Sequence, residues 1–392
     1  MDKRPTLLFM TSRFPYPLEK GDKLRAYHLI KGLSKTYQIH LFALSSESID
    51  ASWNKELSPY VVSIQQFHLN KFAQWVRLIG CLFTNQPFQL AYFTSYRLKR
   101  TIKKSISTLT PDHIFCQMIR PAEYVKNYHR CNKTIDYMDA LSVGMERRAQ
   151  KAPWYTRWVF NMEAARLKEY EQRIFNYFEF QTMISHQDVH YIAHPDQRKI
   201  RVIPNGIDTE YFHPMKDIQA SFDLVFVGNL SYAPNIDAMR WFAEHLLTKR
   251  PTWTLLIAGA NPSPAFVQSL KKYPNITIEG WQEDIRRAYA RGKVFVAPMQ
   301  IGTGMQNKLL EAMAMGIPCL TTPLASEALE IVPGRDLWVG NNSEAIEEHI
   351  VYLLDNPEEA EALGEQGRKT VREIYGWGRA VNALDGLITP RH

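Results

Sequence analysis

Cysteine is scarce in this chain: four residues in 392, Cys81, Cys116, Cys131 and Cys319, with no C-x-x-C pair and no histidine cluster beside any of them. That spacing excludes a disulfide framework and a zinc-finger type of site, and it fits a reducing cytoplasm. Long hydrophobic runs are missing as well. The N-terminal run Leu7 to Met10 is too short for a signal peptide and reads as a first buried strand. The longest apolar region, Phe72 to Phe93, is broken by Arg77, Asn85, Gln86 and Pro87, so it does not span a bilayer. No G-x-G-x-x-G follows the first strand, which speaks against NAD or FAD. There is no internal repeat and no low-complexity tract.

The composition itself is ordinary for a soluble globular protein, with 45% apolar residues. At this length a single hydrophobic core stops growing, so two domains are expected. Charge divides them. Residues 1–205 carry 30 Lys and Arg against 17 Asp and Glu, whereas residues 206–392 carry 17 against 23. A first half at +13 and a second at −6 imply different partners for the two halves.

Strand-like and helix-like segments alternate throughout. The first half reads TLLFMTS, a helix over about Asp22–Ser34, QIHLFALS, then strands at His113–Gln117, Lys133–Asp139 and Glu179–Ser185. The second half reads DLVFVGN, a helix at Asn235–Leu247, TWTLLIAG, ITIEG, a helix at Glu283–Ala290, KVFVAP, a helix over about Gln306–Met315, and IPCLTTP. This rhythm predicts an α/β protein with two doubly wound, Rossmann-like domains. The join falls at KIRVIPNGIDTEYFHP, where Pro204-Asn205-Gly206 signals a turn. Domains of 1–203 and 204–392 follow, ending in a helix at about 377–388.

The segment richest in chemistry is QIGTGMQNKLLEAMAMGIPCLTTP, Gln300 to Pro323. A glycine turn, Gly302-Thr303-Gly304, leads through Gln306 and Asn307 into a helix whose Lys308 and Glu311 leave the same face. A helix start offers unpaired N–H groups to an anion, so the turn is a natural phosphate seat. It is not a P-loop, because Asn307 stands where a glycine precedes the lysine and Leu309 where a Ser or Thr follows it. A glycine turn with solvated Lys308 and Glu311 satisfies the spacing equally well; the position after VFVAP, at a strand's carboxyl end, favours a ligand. Near the N-terminus Gly21-Asp22 opens a helix after the first strand. Asp22 fits a helix N-cap or a ligand contact, and Lys23 and Arg25 fit an anion beside the turn or simple solvation.

Gly21-Asp22, IPNGID at the join, FVGN opening the second half and LLEAMAMGIPCLTTP near the end together resemble the family 4 retaining glycosyltransferases of the GT-B fold. The matches run in order over nearly the whole chain. FPYPLEKGDKLRAYHLIKGL with GMQNKLLEAMAMGIP is similar to a bacterial subgroup of sugar transferases of exopolysaccharide and envelope glycan assembly.

The resemblance implies a nucleotide-diphosphate sugar held mainly by the C-terminal domain, an acceptor held by the N-terminal domain across a cleft, and a final helix crossing back to the first domain. It assigns Glu311 to the ribose hydroxyls, and Thr303 stands where the family's paired-glutamate motif has its first carboxylate. In FVGNLSYAPNID, the family's arginine and lysine are replaced by Asn229 and by Pro234 or Asn235 after Gly228. The diphosphate charge then falls to Lys308, the amides after Gly304 and Arg25. In TIDYMDALS, Asp139 matches a strand-end aspartate and Met138 stands at the place of its histidine partner. Asp139 fits a helix N-cap as well. Trp281 and Gln282 of GWQED line the nucleobase pocket in this reading, or Trp281 is a buried structural residue.

The implied reaction is transfer with retention, in which the departing phosphate takes the acceptor proton and no metal or other cofactor is required. Asp139, Lys308 and Glu311 are the catalytic candidates. The basic first half, with aromatics around Phe72–Phe93 and Trp154–Phe160 and cations at Lys71, Arg77, Arg97, Lys99, Arg100, Lys103 and Lys104, suits an acidic membrane surface or is a solvated basic face. A cytoplasmic protein, at the inner membrane face, with no nucleic-acid partner is the expectation. A nucleotide-sugar epimerase and a non-catalytic binding subunit are the alternatives; Thr303 and Met138 motivate the second.

Overall fold

The structure is a computed structural model that describes residues 4–18, 20–45, 51–301, 306–327 and 329–389, except for the side chains of residues 51, 82 and 151. Two units emerge: residues up to Asn205 together with those from Ala380 on, and Gly206–Arg379.

The first unit contains the strands β1 (Thr6–Thr11), β2 (Gln38–Ser45), β3 (Ser63–His68), β4 (His113–Gln117), β5 (Asn132–Asp136), β6 (Phe180–Met183) and β7 (Arg201–Val202). They form one parallel sheet in the order β3-β2-β1-β4-β5-β6-β7. Its helices are α1 (Gly21–Leu33), α2 (Ala51–Leu57), α3 (Lys71–Gly80), α4 (Phe88–Phe93), α5 (Tyr96–Leu109), α6 (Ala122–Val125), α7 (Leu141–Lys151), α8 (Trp154–Phe175) and α9 (His186–Val189). Central strands are covered on both faces and read as continuous apolar runs, as in LLFM of β1 and IFC of β4, all buried. The register pairs Met10 with Cys116, Gln117 with Asp136 and Asp136 with Thr182. The carboxyl ends of four strands therefore lie side by side.

The second unit holds β8 (Phe222–Val227), β9 (Leu255–Ala258), β10 (Ile276–Glu279), β11 (Gly292–Ala297), β12 (Cys319–Thr321) and β13 (Trp338–Val339), again parallel, in the order β10-β9-β8-β11-β12-β13. Its helices are α10 (Ala233–Phe242), α11 (Pro264–Leu270), α12 (Ile285–Ala290), α13 (Asn307–Ala314), α14 (Pro323–Ser326), α15 (Ser343–Asp355) and α16 (Pro357–Ile374); α17 (Trp377–Ile388) ends the described chain, and from Ala380 it counts with the first unit. There the Tyr37 hydroxyl lies 2.8 Å from Thr389 Oγ1. A core of aliphatic and aromatic residues fills the second unit, and in the first a cluster that includes Leu8, Met10, Ile114, Cys116 and Ile135 packs on the sheet.

Three expectations need correction. The strand expected over Lys133–Asp139 ends at Asp136, because Met138 takes a left-handed φ of 65° and the Asp139 N–H bonds back to the Tyr137 carbonyl at 2.9 Å. The helix expected at Asn235–Leu247 begins two residues earlier, and its last turn, Ala243–Leu247, is a π-helix. Alternation of strand and helix leaves residues 343–374 unassigned, yet two helices form there, one capped by Asn342 accepting from Ala345 N at 2.8 Å and one begun by Pro357. Both sheets change winding direction at a central strand pair, β1–β4 in the first unit and β8–β11 in the second. Such switch points are where open α/β sheets bind ligands, outside the strand carboxyl ends.

One glycine fixes the second switch point. Gly259, just beyond β9, has φ +144°, and a Cβ there would sit 1.9 Å from the Gly228 carbonyl oxygen. Strain and overpacking together make Gly259→Ala cost about 2–4 kcal/mol. An unchanged urea midpoint for that variant would contradict this packing.

Candidate active site

The second unit's switch point carries Lys308 and Glu311 of GTGMQNKLLEAMAMG. β11 runs out at Ala297, and α13 starts at Asn307 with Gln306 as its N-cap residue. Gly302, Thr303 and Gly304 lie outside the described residues, so the expected phosphate turn is not located. Lys308 and Glu311 do share a face. The Lys308 ammonium donates to Gln306 Oε1 at 2.9 Å, stands 3.7 Å from Met299 Sδ, and lies 5.7 Å over the ring of Phe226 in β8. Burial pushes its pKa down to about 8, against the pull of Glu311. The half-buried Glu311 carboxylate accepts from the Tyr289 hydroxyl of α12 at 2.7 Å. Burial raises its pKa, opposed by that hydrogen bond and by Lys308. Cation and carboxylate are thus held by neighbours rather than solvated as free surface chains.

Beside them Gly228-Asn229 follows the end of β8. Asn229 Oδ1 accepts from Ser231 N at 2.9 Å, its carbonyl accepts from Asn235 Nδ2 at 2.9 Å, and the buried Asn235 Oδ1 has no partner among the described residues. Polar amides stand here where the resemblance implied a basic pair. Trp281 is 73% exposed, which removes its reading as a buried structural residue. Gln282 Nε2 reaches Glu279 Oε2 at 3.3 Å, a carboxylate already bound by Arg291.

The first unit's switch point brings together a second group. Asp22 is not an N-cap: α1 starts one residue before it, at Gly21, and its carboxylate accepts from Arg13 Nη1 at 3.0 Å. Gln117, at the end of β4, donates to the Asp22 carbonyl at 2.8 Å and lies 3.5 Å from Met138 Sδ. Asp139 is not an N-cap either, since α7 starts at Leu141 behind Ala140, without a side-chain cap. The protein packed around Asp139 thins its hydration and, with Asp188, raises its carboxyl above the usual carboxylate range, against Arg120. Met118 and Met138, on adjacent strand ends, both adopt left-handed φ, 67° and 65°. Bulky residues held there cluster at functional sites.

Arg25 needs a different correction. It is fully buried, its Nε 2.7 Å and Nη2 3.2 Å from the Asp136 carboxylate, with Nη1 3.0 Å from Asn205 Oδ1. The arginine is an internal tie between α1, β5 and the end of the first unit, not an anion ligand at the turn. Lys23 is engaged too, donating to the Tyr16 carbonyl at 3.2 Å. Gly21 has open space around its Cα, so nothing packs where a side chain would stand.

Arg13, Gln117, Arg120 and Tyr289 were not singled out from the sequence. Gln117 had a usable signal, the last residue of a strand beside the switch point; Tyr289 sits inside an amphipathic helix and had none. Among the described residues, no group of three or more His, Cys, Asp or Glu side chains is placed to hold a metal ion.

Comparison with known proteins bears on the second unit first. Residues 221–356 match the family model described as Glycosyl transferases group 1. The matched stretch contains Lys308, Glu311, Tyr289 and Gly228-Asn229. The chain is 24% identical over 379 residues to an uncharacterized 44.6 kDa protein in the cps region of Klebsiella pneumoniae, covering 89% of this chain and 91% of that one. It is 27% identical over 145 residues, 32% of this chain and 37% of the relative, to the Escherichia coli UDP-Gal:alpha-D-GlcNAc-diphosphoundecaprenol alpha-1,3-galactosyltransferase. Sucrose-phosphate synthase from Thermosynechococcus elongatus superposes with TM-score 0.64 at 15% identity, covering 97% of this chain and 98% of that one. Anabaena HepE, solved in complex with UDP and glucose, gives 0.64 at 12% identity with 97% and 99% covered. The fold is GT-B, two Rossmann-like α/β units in one chain.

Proposed function

We propose that this chain is a retaining glycosyltransferase that moves a sugar from a nucleotide-diphosphate donor to a glycan or lipid-linked acceptor in bacterial polysaccharide or envelope glycan synthesis. The observation that carries the reading is the Lys308–Glu311 pair, held by Gln306 and Tyr289 at the switch point of a domain that matches the group 1 glycosyl transferases. The E. coli relative, whose name gives a UDP-galactose donor and a diphosphoundecaprenol-linked acceptor, supports the substrate classes.

In this reading Glu311 accepts from the ribose hydroxyls. Lys308 meets the diphosphate, where negative charge develops as the sugar leaves, in surroundings dry enough to strengthen the contact. Asn229 and Trp281 border the donor. The departing phosphate takes the acceptor proton, so no protein base and no metal enters. Asp139 and its neighbours at the first unit's switch point serve the sugar and acceptor side. The protein works in the cytoplasm, at the inner face of the membrane.

The test is a panel of UDP-, GDP- and ADP-sugars screened for thermal stabilisation, followed by transfer to a lipid-linked acceptor with the product's anomeric configuration read by NMR. An isomerised sugar without an acceptor would select an epimerase instead, and donor binding without turnover a binding subunit.

Lys308→Ala should weaken nucleoside-diphosphate binding more than nucleoside binding. The same lysine sets a pH dependence. Free Lys308 loses its proton above about 8, while a bound diphosphate holds that proton on, so binding takes up a proton in that range. Affinity should be flat below that pH and fall by up to about tenfold per pH unit above it, and Lys308→Ala should flatten the profile. Calorimetric titration across this range decides; a wild-type profile as flat as the variant's removes Lys308 from the phosphate site.

A further inference from the structure

Helix α3 in the first unit is inverted. Phe72, Trp75, Val76 and Ile79, spaced as one helical face, are exposed, Phe72 by 79% and Trp75 by 68%, while Gln74 on the other side is 1% exposed and donates to the Tyr92 carbonyl. Phe83, directly after the helix, is 86% exposed. An apolar stripe turned outward over a polar one turned inward is the reverse of a core-facing helix. Helix α8 begins in the same style, with Trp154, Tyr155 and Trp158 exposed, and is fastened to the α3–α4 segment further along. There Glu163 accepts from Phe88 N and Gln89 N at 2.7 and 3.0 Å, and Arg166 donates to the Cys81 carbonyl at 2.9 Å.

Behind the inverted helix lies a hollow of about 710 Å³, lined by five cations, Arg77, Lys99, Lys126, Arg166 and Arg173, against two carboxylates, Glu123 and Glu169. Glu123 is already consumed by Lys99 and Lys126, both at 2.6 Å. Two polar atoms of the lining, Arg77 Nη2 and the hydroxyl of the 5% exposed Thr94, have no hydrogen-bond partner among the described residues. A buried donor left unmade is costly, so these two point to a ligand acceptor. On the flank of the hollow, α5 turns Arg97, Arg100, Lys103 and Lys104 to solvent.

We infer that this hollow seats the phosphate of an acidic phospholipid headgroup while the outward face of α3 enters the bilayer's interfacial layer. The charge sign selects an anionic surface, the aromatics suit the depth of the headgroup boundary, and Arg77 with Thr94 supplies the donors a phosphate oxygen needs. The inference rests on the membrane part of the proposed function. It does not involve donor binding, so vesicle binding and sugar transfer can fail independently.

The full chain is sedimented with vesicles of phosphatidylcholine alone and of phosphatidylcholine and phosphatidylglycerol in equal parts. Binding to the second and not the first is expected. Thr94→Val removes one orphan donor at nearly constant shape and should reduce vesicle binding about tenfold with thermal stability unchanged or raised. Arg77→Gln and Trp75→Ser should reduce it at least as much, whereas Lys103→Gln, a charge outside the hollow, should cost about fivefold or less. Soluble dihexanoyl phosphatidic acid should protect the Arg77 region in hydrogen exchange. Equal binding to both vesicles, wild-type binding by Thr94→Val, occupation by inorganic phosphate with no vesicle binding, or a dimer in sedimentation equilibrium that loses the exposed α3 face would each overturn the inference.

Discussion

If Glu311 binds the ribose as proposed, Glu311→Ala is expected to lower kcat/KM for sugar transfer by about 10²–10⁴-fold, because the variant would lose two charge-assisted hydrogen bonds worth about 1.5–3 kcal/mol each. The size follows from how firmly the carboxylate is held. It projects from α13 three residues after Lys308, and the Tyr289 hydroxyl fixes one oxygen at 2.7 Å. Since the same contact forms in the ground state, nucleoside and nucleoside-diphosphate affinities should both fall, unlike those of Lys308→Ala. Tyr289→Phe should cost about tenfold or less, because it frees the carboxylate without removing it. Steady-state kinetics with a donor from the thermal panel, alongside nucleoside titrations, measures both. Glu311→Ala activity within threefold of wild type would remove this residue from the donor site.

Asp136→Ala is expected to destabilise the first unit by about 3–5 kcal/mol, the usual cost of leaving one member of a buried ion pair without its partner. Arg25 and Asp136 are both 0% exposed, and the carboxylate accepts from two guanidinium nitrogens and from Thr182 Oγ1 at 2.9 Å. In the variant the guanidinium keeps Asn205 Oδ1 at 3.0 Å but no counter-charge. For a unit of this size that loss corresponds to roughly 6–20 °C in melting temperature. Replacing both partners, Arg25→Met with Asp136→Leu, should recover most of it, because no charge then remains to be solvated. Urea denaturation followed by tryptophan fluorescence distinguishes the cases. If the single variant is no less stable than the double, the pair is not what holds α1 to β5.

Much of the scaffold was legible. Strands such as HIFCQ announce themselves because a doubly covered strand carries a continuous apolar run, here Ile114–Cys116, and β4 spans the expected His113–Gln117. Gly21-Asp22 marked the start of α1, which begins at Gly21. The polar helices α15 and α16 were not legible, since their signals are caps and a proline rather than an apolar block. Arg25 shows the limit most plainly. A cation one turn into a helix beside a glycine has the local appearance of an anion ligand, and only Asp136, 111 positions later, reveals it as a buried tie.

The sequence by itself determined that this is a two-unit α/β protein with a basic first half, because apolar periodicity and charge are local properties of the chain. It also put Lys308 and Glu311 on one helical face, since three residues of helix fix that geometry. The tertiary structure decided what surrounds them: Tyr289 behind Glu311, Phe226 under Lys308, and Asp136 around Arg25. It decided as well that the apolar face of α3 points outward. Partner choice in a fold depends on which distant segments the sheet order brings together, and no window along the chain contains that order.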